Sequence, residues 1–147
     1  MSETEARPDL CFVDTNIWLY AFISGQEPAK SVRARELLQQ DAAAIVVSSQ
    51  VINEVCVNLL KKAHVSESTV AQLIRSFYRK YPIVTLNEKV QIAASGLREQ
   101  LSLSFWDSLI VAAALQSGAS ALYTEDMQAG LVINERLTIL NPFITMV

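Results

Sequence analysis

Four carboxylates carry the strongest chemical signal in this sequence: Asp14, Glu54, Asp107 and Asp126. Asp14 closes the apolar run Leu10-Cys11-Phe12-Val13, and Asp126 follows the run Ala119 to Tyr123. Asp107 stands at the start of an apolar helical stretch, and Glu54 lies one turn into another. Carboxylates gathered within about 5 Å repel by roughly 3 kcal/mol per pair at an effective dielectric of about 20. A fold that gathers them needs compensation, and a hard divalent cation with oxygen ligands supplies it. Magnesium keeps several waters and takes one or two carboxylates; manganese suits the same ligands. A cation held this way activates water for attack on a phosphodiester and stabilises the leaving oxygen. No histidine is needed.

Each acid also has an ordinary reading. Asp14 is placed to cap the helix after it. Asp107, third in a capped helix, complements the helix dipole. Asp126 lies in a polar turn. On a helical wheel the apolar arc of Ile52, Val55, Cys56 and Leu59 points largely away from Glu54. That leaves the Glu54 side chain in solvent unless its side of the helix faces a cleft.

The elements that must position these residues alternate along the chain. Short apolar runs at 10–13, 44–47, 83–86, 119–123 and 137–140 read as buried strands. Helical spacing fills 17–22, 29–40, 50–62, the stretch from Ser66 or Ser68 to Arg79, 88–101 and about 105–116. Ser48-Ser49 and Asn87 are caps, Ser104 to Asp107 has capping-box spacing, and Gly118 ends the last helix. The alternation predicts a three-layer α/β/α domain with a mainly parallel sheet of four to five strands. In such sheets ligands bind at the carboxyl ends of the strands. Asp14, Glu54 and Asp126 fall at that edge; Asp107 must reach it from a helix start. The 147 residues fit one domain, 1–147, with residues 1–9 as a flexible N-terminus.

Bulk properties narrow the chemistry. The net charge of −3 argues against a protein that binds nucleic acid mainly by neutralising phosphates. It is compatible with an enzyme that meets nucleic acid through metal ions. Arg33, Arg35, Arg75, Arg79 and Lys80 offer a path for a backbone or simply solvated helix faces, and no stacking platform stands out. The lone histidine, His64, sits at a helix end in a polar stretch, so Ser-His-Asp and Cys-His machinery is not expected. Cys11 and Cys56 lie in apolar runs and read as small core residues. No apolar run approaches the roughly 18 residues of a membrane span. The N-terminus lacks a basic-then-apolar signal, so a cytoplasmic location is expected. Half the residues are hydrophobic, which leaves apolar surface for a partner. Trp18, Leu19, Phe22 and Ile23 serve either core packing or that partner.

Together, several pieces resemble the PIN-domain ribonucleases, specifically the VapC-type toxins of bacterial toxin–antitoxin pairs. They are Phe12-Val13-Asp14-Thr15-Asn16, Asn53-Glu54, Phe105-Trp106-Asp107-Ser108, Tyr123-Thr124-Glu125-Asp126-Met127-Gln128 and Leu140-Asn141-Pro142-Phe143. The resemblance covers nearly the whole chain. It implies Mg2+ or Mn2+ as cofactor, RNA as substrate, an antitoxin partner and a homodimer. It carries the metal-site role onto Asp14, Glu54, Asp107 and Asp126, and a supporting role onto Asn16 and Thr124. Glu125 either shares the role of Asp126 or points to solvent. Two alternatives stay open: a phosphatase-type hydrolase with Asp14 as nucleophile, and a catalytically silent binding module on the same fold. The first usually wants a second acid where Asn16 stands.

Overall fold

A computed structural model describes residues 9–144; the expected flexible N-terminus, apart from Asp9, lies outside them. The strands are β1 (Cys11–Val13), β2 (Ile45–Ser48), β3 (Ile83–Val84), β4 (Ala121–Tyr123), β5 (Val132–Ile133) and β6 (Leu137–Leu140). The helices are α1 (Thr15–Phe22), α2 (Pro28–Gln40), α3 (Ser49–Lys62), α4 (Glu67–Lys80), α5 (Glu88–Gln100) and α6 (Phe105–Ser117). Local chemistry sets most of the helix starts. Ser48, Ser66, Asn87 and Ser104 each accept a hydrogen bond from the first turn of the helix they precede. Pro28 opens α2, and Gly118 stops α6 in the left-handed conformation.

The strand order is β3-β2-β1-β4-β6-β5. All neighbouring pairs are parallel except β5–β6. The chain steps outward from β1 to β2 and β3, then returns to β4 on the other side of β1. With right-handed crossovers, α1 to α4 cover one face and α5 and α6 the other. The direction reverses between β1 and β4, and the carboxyl ends of those strands border the crevice. β1 and β2 are buried along their whole length, as strands covered on both faces must be. From Ser108 to Ala114, α6 is buried on every side, which explains its nearly unbroken apolar sequence.

The sheet has six strands, one more than expected. The additional strand, β5, is two residues long and too short for a periodic signal. It turns back through Asn134 and Glu135, both at positive φ, without the glycine that would have marked a hairpin. The third expected strand, 83–86, pairs only at Ile83 and Val84. Trp18 belongs to the core: its indole N–H donates to the Val13 carbonyl, and its ring meets Phe77 edge-on at 4.9 Å. Phe22 stays exposed. Arg33 and Arg35 donate to the carbonyls of Pro142 and Ala21, tying α2 to the C-terminal segment and to α1. Cys11 and Cys56 are buried free thiols, and burial pushes Cys11 up to about 11, away from thiolate chemistry. Among the described residues no helix is long and apolar enough to cross a membrane.

Candidate active site

Asp14 leaves the end of β1 and is both a cap and the centre of the acidic cleft. Its Oδ1 accepts the Thr15 backbone N–H at 2.7 Å, which starts α1. Its Oδ2 accepts the Thr124 hydroxyl at 2.8 Å. Capping uses one oxygen of Asp14 and leaves the carboxylate at the cleft. Thr124, fully buried just past β4, is held by its own N–H to the Leu140 carbonyl. Its hydroxyl oxygen also accepts the Asp126 N–H at 3.2 Å. One threonine thus fixes two of the acids.

Glu54 turns toward the cleft. Its Oε2 accepts the Thr15 hydroxyl at 2.6 Å and its Oε1 accepts the Gln50 amide at 2.9 Å. The Asn16 amide donates to Asp126 Oδ2 at 2.5 Å. Asp14, Glu54 and Asp126 are thereby joined through Thr15, Thr124 and Asn16. Asp107 reaches the same edge because α6 runs back toward the start of β4, which leaves its N-terminus at the strands' carboxyl ends. Ser104 caps that end by accepting the Asp107 N–H at 3.0 Å. The Gln50 amide also reaches the Trp106 carbonyl, at 3.5 Å, bridging α3 to α6 beside Asp107.

Electrostatics reflect this crowding. Burial pushes the Asp14 carboxyl up to about 6; the bonds from Thr124 and Thr15 oppose the shift, and the charges of Glu54 and Asp126 add to it. Asp107 is raised too, by burial first, with Ser104 opposing and Asp126 and Glu54 adding. Among the described residues no lysine or arginine pairs with any of the four acids; the ion pairs run from Lys30 to Glu27 and to Glu125. Hard oxygen ligands with neutral hydrogen-bond partners and no cationic neighbour suit a divalent cation. Among the described residues no group of three or more of these acids comes close enough together to hold a metal ion.

Glu125 faces elsewhere. It accepts the Tyr20 hydroxyl at 2.6 Å and pairs with Lys30 at 2.6 Å, fastening the loop after β4 to α1 and α2. Two residues at the cleft are not singled out by sequence reasoning. Thr15 holds Glu54 through its hydroxyl, and Gln50 does so through its amide. Gln50 lies one helical turn before Glu54, the spacing at which side chains on a helix meet, and that was the available signal. A groove of about 610 Å³ adjoins the cleft at Asn16 and runs past Leu19, Tyr20 and Ile23 toward Glu27 and Lys62.

Fold and site together define a doubly wound α/β domain with an acidic cleft at its switch point. The family model for the PIN domain matches residues 11–129, and the chain belongs to the PIN-domain family. Solved structures share the fold. A toxin–antitoxin complex from Klebsiella pneumoniae aligns with a TM-score of 0.67 at 23% identity, covering 90% of this chain and 97% of that one. VapC20 of Mycobacterium tuberculosis, a sarcin–ricin loop cleaving toxin, aligns at 0.65 and 19% identity, covering 79% and 89%. DNA-bound VapBC of Salmonella typhimurium aligns at 0.66 and 15% identity, covering 92% and 99%. Among curated proteins, none matches the chain by sequence.

Proposed function

We propose that this chain is a metal-dependent endoribonuclease and the toxin of a toxin–antitoxin pair. The observation that carries the reading is the group of four acids without cationic partners, among the described residues, at the carboxyl edge of the sheet. Asp14 and Asp107 would hold a magnesium or manganese ion; Glu54 and Asp126 would hold a second ion or orient the attacking water. The bound cation supplies Lewis acidity and a water nucleophile at neutral pH. The chain's own residues set the stage. Thr124 and the Thr15 N–H fix both Asp14 oxygens, Thr15 and Gln50 aim Glu54, and Asn16 restrains Asp126. The toxin part of the reading is supported by the toxin–antitoxin complexes that share the fold. An antitoxin segment would lie in the groove beside Asn16, with a basic side chain in the acidic cleft. The protein would act as one domain, as a homodimer, in the cytoplasm.

Sequencing the RNA ends produced by the wild type and by an inactive control tests the activity. New ends from the wild type alone support it. Hydrolysis of a phosphomonoester with RNA left intact would favour the phosphatase-type alternative. Absence of divalent-ion binding in a titration would favour the silent binding module.

Two further outcomes are expected. Gln50→Leu should lower magnesium affinity or activity by roughly 10- to 100-fold, the usual cost of losing a ligand's hydrogen-bond support. The buried Gln50 Oε1 has no partner among the described residues. Removing the amide should therefore change stability by only about 1 kcal/mol. Thermal melts with magnesium-dependent cleavage separate the two effects. Glu125→Gln should cost up to about 1 kcal/mol of stability through the lost Lys30 pair, with cleavage falling by less than about threefold. A larger loss of cleavage would place Glu125 beside Asp126 in the chemistry.

A further inference from the structure

Phe105 and Trp106 are 54% and 61% exposed at the start of α6, next in sequence to Asp107. Large aromatic side chains ordinarily seek cover. These two are exposed but held in place. The Arg98 guanidinium lies over the Phe105 ring at 4.5 Å and donates to the Ser108 hydroxyl at 2.6 Å. Phe105 in turn meets Trp106 edge-on, with centroids 5.3 Å apart and planes at 80°. That is a favoured geometry for an aromatic pair. A chain of contacts from Ser108 through Arg98 and Phe105 therefore braces an indole that faces solvent. The Trp106 carbonyl accepts from Gln50, which also holds Glu54, and the next residue is Asp107.

We infer that Trp106, buttressed by Phe105 and Arg98, is a stacking platform for an unpaired base of the RNA strand that enters the acidic site. This inference rests on the ribonuclease reading. On that reading a cation held by the acids would meet the phosphate backbone, and the uncharged part of the strand is left to add affinity at the cleft's edge. Aromatic stacking supplies it, and because every base presents a π face it does so without reading sequence. Arg98 beside the rings adds the positive charge that the cleft lacks. Pre-bracing the indole lowers the ordering cost of binding.

The chain has two tryptophans, Trp18 at 2% exposure and Trp106 at 61%, so indole quenching reports on the platform. The full-length Asp14→Asn chain is titrated with a fluorescently labelled oligoadenylate of about eight nucleotides, a length chosen to fill one single-strand site. Expected are saturable tryptophan quenching, no quenching by a duplex of equal length, and roughly tenfold weaker binding with no quenching when Trp106→Leu is added. Equal melting temperatures with and without the added substitution keep folding out of the comparison. The inference is overturned if the oligonucleotide binds without quenching, or if Trp106→Leu binds within twofold. It is also overturned if sedimentation shows that Trp106→Leu breaks a dimer that the parent chain forms, which would make this face a self-interface. Cleavage by the wild type is scored separately. Intact cleavage with an unchanged KM in Trp106→Leu removes the platform and leaves the ribonuclease; quenching without wild-type cleavage does the reverse.

Discussion

An Asp14→Asn chain should fold, melt higher than the wild type in metal-free buffer at pH 7, and lose RNA cleavage by about a thousandfold or more. The stability gain follows from the cost of ionising Asp14 where it stands. Its folded carboxyl lies at about 6, mainly because it is buried. An unfolded aspartate lies near 3.9, by contrast, or roughly two units lower. The folded chain thus binds this proton more tightly than the unfolded chain does. The group's stabilising contribution is complete below about pH 4 and is lost as the pH rises through about 6. At pH 7 the metal-free wild type bears the whole cost, about two pH units or roughly 3 kcal/mol. Asparagine cannot ionise and keeps an acceptor for the Thr15 N–H, so the variant avoids the cost. The difference between the two melting curves should shrink toward pH 4. A variant that unfolds, or one that still cuts, would overturn the assignment of Asp14.

Chelation should reduce wild-type cleavage to the level of the Asp14→Asn chain, and added magnesium or manganese should restore it. The cation should also stabilise the fold, by about 2.7 kcal/mol at a hundredfold excess over its dissociation constant. It competes with the proton on Asp14, so more magnesium should be needed at pH 5.5 than at pH 7.5. The Asp14→Asn chain should show neither the rise in melting temperature nor its pH dependence. Differential scanning calorimetry with and without magnesium measures both. Undiminished cleavage in excess chelator would end the metal reading and leave the fold untouched.

The parts of the site that could be read in the sequence are those attached to regular elements. A buried apolar run ending in an acid fixes Asp14 at the sheet edge, and a capped apolar helix fixes the direction in which Asp107 starts. Glu54 could not be placed this way. Its helix buries Val55 and Cys56, and what turns Glu54 inward is the Thr15 hydroxyl, 39 positions away in sequence. Between Glu125 and Asp126 only the resemblance favoured Asp126, which follows Thr124 at the family's spacing; nothing in the chain's own pattern did. They are adjacent in an aperiodic turn, and their tertiary partners differ: Lys30 and Tyr20 for one, Asn16 for the other. The exposed aromatic pair was hidden for a similar reason. Apolar residues before an apolar helix look like core until the packing shows otherwise. β5 was lost because two residues carry no periodicity.

The central position of β1 between β2 and β4 has a consequence for synthesis on the ribosome. Asp14 is translated early, yet its Oδ2 is held by Thr124, which in turn hangs from the Leu140 carbonyl on β6. Until the chain has grown past Asp126, the bonds from Thr124 and Asn16 that tie the first and last acids cannot form. At about 5–20 residues per second, the interval between translating Asp14 and Leu140 is on the order of 10 seconds. For most of that interval a nascent chain lacks at least one of the four acids. On the ribonuclease reading, a fragment that stops short of Asp126 has an incomplete set of acids and should not cleave the message that encodes it.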